Sequence, residues 1–321
     1  MARYIAKRIL GAVPVFFGIT LVVFLMMNIA PATIADTAGD GDASSAAIRA
    51  ALEARLGLDQ PVGIRYLNWM KGIVTGDLGD SFRTGQSVLS MIGQRVAPSL
   101  ILTGSGVAAA ILLGVPLGIL AAWKPDSGWS KLASGLTLFS FSVPGFFLCL
   151  GAICIFSVKL GWFPAAGMYS SGSGGSLADL LRHLFLPAGV ICISSLGSLI
   201  RQTASACGET LGEDYIRTAR AKGLGEWAVV WKHAFRTALS PVLTTILNHI
   251  PHIIGGSMIV ERIFGWPGMG SLLFTAVNSR DYPVIMGLTV TTALAVLAAG
   301  ILMDIAYRLA DPGVGWGGDR P

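Results

Sequence analysis

Two histidines, His249 and His252, stand three positions apart beside Asn248, in a run that carries no Asp, Glu, Lys or Arg between Arg236 and Glu261. On a helix, positions i and i+3 share a face. Side chains so placed can line a polar pathway, hydrogen-bond between helices, or ligate nickel or copper. Pro251 between them loosens the helical backbone. Glu261, followed by Arg262, closes the run as a further pathway candidate, with gating or contact with a soluble partner outside the membrane set against plain interfacial anchoring. A second group of chemically active residues is Asp214, Arg217, Arg220 and Lys222, with Ala219 and Ala221 between them and Gly223, Leu224 and Gly225 after them. A short basic helix with small residues on it can dock into a cleft on a soluble partner or lie on anionic lipid.

Catalytic signatures are missing. A phosphate-cradling loop needs Gly before Lys, and the chain has no Gly-Lys dipeptide, so it supplies no P-loop ATP site of its own. It also has no H-E-x-x-H, no C-x-x-C and no G-x-S-x-G. We therefore expect a protein that is not an enzyme and carries no cofactor. Cys149, Cys154 and Cys192 fall inside apolar runs and Cys207 just beyond one, which suits packing.

The elements that position these residues follow from composition. Of 321 residues 53% are hydrophobic and 13% charged, and mean hydropathy is +0.67. A soluble fold needs about a quarter of its residues charged, so a polytopic, all-α membrane protein is expected. About 20 apolar helical residues cross the hydrocarbon core. Six runs without Asp, Glu, Lys or Arg qualify: Arg8 to Asp36, Arg95 to Lys124, Lys131 to Lys159, Arg182 to Arg201, Arg236 to Glu261 and Asp281 to Asp304. A seventh, between Arg262 and Arg280, carries Gly265, Pro267, Gly268 and Gly270 and reads as a re-entrant or interfacial half-helix. The apolar stretch from Ile9 to Ile29 exceeds a signal-peptide core and reads as an uncleaved anchor.

Orientation comes from the Lys/Arg bias. With the N-terminus inside, the cytoplasmic pieces hold 13 Lys/Arg and 7 acids, whereas the outer loops hold 10 of each. Both termini are thus expected in the cytoplasm, the pI near 9.2 reflects topology, and no nucleic-acid partner is expected. An outer segment with a helix over Ala46 to Leu56 follows the first span. Trp162, Trp266 and Tyr282 suit an interfacial belt, and Asp304 with Arg308 suits an i, i+4 pair. In the cytoplasmic loop, Asp214 to Lys222 reads as helix, Gly223 and Gly225 as a break, and Trp227 to Leu239 as a helix resumed before Pro241 opens the next span.

That loop resembles the EAA-type motif of ABC-importer permeases, in the variant of the dipeptide, oligopeptide and nickel permease family. The resemblance runs through Asp214-Tyr-Ile-Arg-Thr-Ala-Arg-Ala-Lys-Gly-Leu224, then His233-Ala, Arg236 and Pro241. Other motifs resemble the same family in the same order: Arg3-Tyr-Ile-Ala-Lys-Arg-Ile with Gly18-Ile-Thr, Leu56 to Pro61, Gly76-Asp-Leu-Gly-Asp-Ser81, Phe264-Gly-Trp-Pro-Gly-Met-Gly270 and Arg280-Asp-Tyr-Pro-Val284. The motif's usual leading acid and first alanine are replaced by Arg217 and Thr218, with acids upstream at Glu213 and Asp214.

The resemblance implies a type I ABC-importer permease of the bacterial or archaeal inner membrane. Its N-terminal transmembrane helix (1–30) would be followed by an extracytoplasmic segment (31–97), a five-helix core (98–310) with a cytoplasmic coupling loop (203–240), and a cytoplasmic tail (311–321). It implies a homologous second permease, two cytoplasmic ATPases and an extracytoplasmic solute-binding protein as partners, with Ala219 to Leu224 in a coupling helix. The implied cargo is di- or oligopeptides, with nickel or a metal chelate carried by a metallophore or opine as the alternative.

Overall fold

The apolar runs fold into helices. A computed structural model of the protein describes residues 2–29, 60–170, 172 and 175–310, with the backbone alone at 2–5, 28, 29, 251, 252, 254 and 302–310. The expected helix at Ala46 to Leu56, most of Leu56 to Pro61, the tail from residue 311, and the side chains of His252, Asp304 and Arg308 lie outside the described residues. Among the described residues the regular elements are helical, in the order α1 (Ala2–Ile29), α2 (Val62–Thr75), α3 (Val88–Trp123), α4 (Gly128–Ser142) and α5 (Gly145–Ala152), which widens into a π-helical stretch, Ile153–Lys159. Then come α6 (Leu177–Leu211), α7 (Asp214–Ala221), α8 (Glu226–Ala228), a π-helical stretch Val229–Ala234, α9 (Phe235–Asn248), α10 (Ile250–Gly255), α11 (Met258–Ile263), α12 (Met269–Asn278) and α13 (Tyr282–Ala310).

Four described stretches are long and apolar enough to cross a membrane: Ala6–Met27, Val88–Trp123, Leu177–Leu211 and Tyr282–Ile301. The run expected as the third span is a pair, α4 and α5, bent by 103°. Pro144 causes the bend, because the residue before a proline is driven out of the α region, and Val143 is extended at φ −98°, ψ 120°. The run expected as the fifth span is also divided, into the 14-residue α9 and the 6-residue α10. Pro251 in the first turn of α10 donates no backbone hydrogen bond, and Gly256 at φ +72° ends that helix. Pro241 does not open the span as expected; it lies inside α9. The glycine-rich run after Arg262 yields α12, whose 10 residues are too few to span.

The chain divides into two compact units, one of residues up to Arg95 with Leu272–Leu297, the other of Val96–Ser271 with the residues from Ala298. In the first, the fully buried Thr20 hydroxyl of α1 lies 2.9 Å from the Tyr66 hydroxyl of α2. Phe24 meets Tyr66 edge-on and stacks on Trp69, at 5.4 and 5.6 Å between centroids. Asp281, just ahead of α13, is buried and accepts from the Ser81 hydroxyl at 2.5 Å and the Phe82 amide at 3.1 Å. This clamp ties the Gly76–Ser81 motif to the Arg280–Val284 motif.

In the second unit α6 is the central post. Gly197 lets α4 approach closely, since a Cβ there would meet Ser140 at 2.8 Å, and Gly106 and Gly118 of α3 do the same against Ile191 and Thr203 of α6. Small residues at such crossings are the usual means of packing helices in lipid, where hydrophobic collapse supplies little drive. Cys149, Cys192 and Cys207 are buried in this unit as expected, whereas Cys154 is exposed.

Candidate functional site

The segment expected to couple to a soluble partner is built on α7. Its inner face, Ile216 and Ala219, is buried against Leu211 of α6 and Val229 and Ala234 of the following π-helical stretch. Asp214, Arg217, Arg220, Ala221, Lys222 and Leu224 are exposed. Ala219 therefore anchors the helix, and the outward surface belongs to its neighbours. The turn after α7 is a Schellman motif: the Gly223 amide donates to Arg220 O at 2.9 Å and the Leu224 amide to Ala219 O at 3.4 Å. Gly223 sits at φ +79°, a conformation costly for any residue with a Cβ. Gly225, by contrast, has φ −63° and precedes α8 as its N-cap. Glu226 then reaches back, accepting from Arg220 Nε at 2.8 Å and Nη2 at 3.3 Å, and from Trp123 Nε1 at 3.3 Å. The Arg220 guanidinium holds the Glu226 carboxyl below its ordinary value. Behind it Trp123, Trp227, Trp231 and Phe235 form a ladder of rings 5.1 to 6.3 Å apart. The loop is thus tied by packing and hydrogen bonds to α3, α6 and the helical stretch that leads into α9.

Between α4 and α9, α6 presents a face with a different composition. Ser194, Arg201, Gln202, Ser205 and Glu209 are exposed and Ser198 is half-buried, while Leu196, Leu199, Ile200, Thr203, Ala206 and Cys207 on the other side are buried. At 100° per residue the exposed set occupies one arc of the helix. The same holds for α9, where Thr237, Thr244 and Asn248 are exposed, Ser240 is half-buried, and Ala238 and Val242 are buried. His249 Nε2 lies 3.4 Å from Ser198 Oγ, which joins the two helices. Asn248 and His249 thus sit where α9 meets the polar arc of α6. His249 occupies the break between α9 and α10, so the continuous helix that would put both histidines on one face is interrupted there. The serine and arginine arc was missed in the sequence, although its spacing of 4, 3 and 4 from Ser194 through Ser198 and Arg201 to Ser205 is a readable helical signal.

Glu261 is fully buried in the second unit. Its carboxylate accepts from Ser99 Oγ at 2.7 Å and the Ser271 amide at 2.9 Å, and Ser99 Oγ accepts in turn from the Met269 amide at 2.7 Å. Gly256, Gly268 and Gly270 wall the carboxylate so closely that a Cβ on any of them would press on it. Trp266, expected at an interface, is fully buried and donates its indole N–H to Pro98 O at 2.9 Å. The Gly167 amide donates to Phe264 O at 2.8 Å, and His183 Nδ1 to Gly167 O at 3.0 Å. The Phe264–Gly270 motif is therefore a strap wound around one carboxylate and stitched to the neighbouring loop. Ser99 and the three glycines are the partners that sequence reading did not join to Glu261.

Residues 114–316 match the family described as binding-protein-dependent transport system inner membrane component, and residues 1–103 match that family's N-terminal domain. The chain is 40% identical over 314 residues to a putative peptide permease protein of Brucella suis biovar 1, covering 97% of this chain and 98% of that one. It is 39% identical over 316 residues to the oligopeptide transport system permease protein AppB of Bacillus subtilis, covering 97% and 99%. To the dipeptide transport system permease protein DppB of Alkalihalophilus pseudofirmus it is 36% identical over 330 residues, again covering 97% and 99%. Helical among its described residues, with several apolar spans and matched over nearly its whole length, the chain belongs to the family of inner-membrane permease components of binding-protein-dependent transport systems.

Proposed function

We propose that this permease is one of two homologous halves of an ATP-binding-cassette importer that carries di- and oligopeptides handed over by an extracytoplasmic solute-binding protein. One observation carries the pathway: an exposed polar arc on α6, a helix long enough to cross the bilayer. Hydroxyls and a guanidinium facing lipid are costly, so such a face lines a water-filled path or meets a partner. The names of the relatives, peptide, oligopeptide and dipeptide permeases, favour peptides over nickel or a metal chelate.

In this reading the bent pair α4–α5 and the broken pair α9–α10 each count as one span, which gives six with both termini cytoplasmic. Residues 1–30 form the first helix, 31–97 the outer segment, 98–310 the core with the coupling loop 203–240, and 311–321 the tail. Energy comes from two cytoplasmic ATPases. Their closure on ATP would push on the exposed side of α7, and because Ile216 and Ala219 fix α7 to its neighbours, the push is passed to α6 and α9 as a lever rather than absorbed. Those two helices carry the polar lining, so the same motion changes which end of the path is open.

The test uses cells that carry this permease, its partner permease and its binding protein, with the ATPases either intact or inactivated at their P-loop lysines. Uptake of a labelled dipeptide should require the intact ATPases. Uptake that persists after inactivation would reject the reading.

A further inference from the structure

Arg201 stands out within the polar arc. Its guanidinium lies over the Phe141 ring of α4, 5.2 Å from the centroid, and among the described residues no carboxylate pairs with it. It is exposed, at the inner end of the charge-free run that follows Arg182, with Ser198 one turn before it and Ser205 one turn after. This cation–π contact engages none of the guanidinium N–H donors in a hydrogen bond, and these are the donors that match a carboxylate in bidentate geometry. The ring also holds the side chain in place, so less rotamer freedom is lost when an anion arrives. A guanidinium held by an aromatic ring, without a counter-charge among the described residues, beside hydroxyls on a membrane-spanning helix, is equipped to receive an oxyanion.

We propose that Arg201 is an anion-binding post in the inner part of the pathway and takes the terminal carboxylate of the passing peptide. This rests on the peptide-permease reading above. The same oxyanion chemistry is offered by a lipid phosphate at the inner membrane border, and the experiment separates the two sources.

The complete transporter is reconstituted in vesicles of zwitterionic lipid, and again with anionic lipid added. Uptake of two tripeptides of one sequence, one ending in a free carboxylate and the other in an amide, is compared for wild type, Arg201→Gln and Arg201→Lys. Any preference of the binding protein cancels when each variant is divided by wild type for the same peptide. The expected result is that Arg201→Gln lowers uptake of the acid about tenfold relative to the amide, in both lipids, while Arg201→Lys, which restores the charge and not the bidentate fork, recovers only part of the preference. Equal losses for both peptides, or no loss, would overturn the proposal. A loss that follows anionic lipid content and ignores the peptide terminus would assign the post to lipid and overturn the substrate role. If wild type takes up neither peptide in an ATP-dependent way, the permease reading itself fails, which is a separate outcome.

Discussion

Gly223 is the residue on which the turn after α7 depends most. At φ +79° with no space restriction around its Cα, the demand is conformational, and a β-branched residue there costs about 1–2 kcal/mol of backbone strain. Gly223→Val should therefore leave the complex assembled, since nothing packs on that position, yet lower uptake at least roughly tenfold by misdirecting the helix proposed to meet the ATPase; assembly is read by co-purification and uptake in the same preparation. Glu226 gives a pH expectation. Its carboxyl is held below the ordinary 4.5, mainly by the hydrogen bonds from Arg220, so the charged form favours the fold. That contribution is present above the unfolded value and lost as pH falls through the folded one. The tie should thus be intact from pH 6 to 8. Because the pair is exposed, Glu226→Gln should change neutral-pH uptake by less than roughly threefold. Gly268 is the opposite case to Gly223. Its Cβ would collide with the Glu261 carboxylate, so Gly268→Ala should destabilise the purified complex by about 1–3 kcal/mol as an overpacked core site. Gly189→Ala, at a position with open space, should leave Tm unchanged.

At the scale of elements, the polar arc of α6 makes an ordered prediction. In a background where Cys154 is replaced by serine, single cysteines at 194, 198 and 205 should react with a membrane-impermeant maleimide added from the open side of the pathway. Those at 196, 199 and 203, which are buried, should not. A reaction pattern without helical period would remove the arc as a lining. The elements themselves were unevenly legible in the sequence. Charge-free runs marked where apolar helix must lie, because a charge at mid-bilayer is costly whatever the tertiary contacts. The break at Gly223 was also readable, because only glycine takes that turn cheaply. The bend at Pro144 was not read, and Pro251 was read as loosening the helix and not as dividing it at His249: a run counted by its charges gives length and hides direction. Glu261 was found, but its setting was not, since the groups that surround it come from Ser99, Gly256, Gly268 and Ser271, which lie up to 162 positions away along the chain.

For the whole molecule, the match to one permease family along nearly the entire chain and the exposed polar arc on α6 converge on one account. In the proposed account this chain forms part of a path through the inner membrane and is driven by partner ATPases. What reached furthest from sequence was the class of machine, because composition, the lack of a Gly-Lys dipeptide and the loop motif are each local signals. What stayed hidden was the polar arc of α6, which depends on which faces of α4, α6 and α9 are covered. The most direct measurement is uptake by proteoliposomes holding this permease with its partner permease, ATPases and binding protein, given labelled di- and oligopeptides or nickel, with and without ATP. The account predicts peptide uptake that requires ATP and no nickel uptake. Flux of either substrate without ATP, or ATP-driven nickel uptake without peptide uptake, would contradict it.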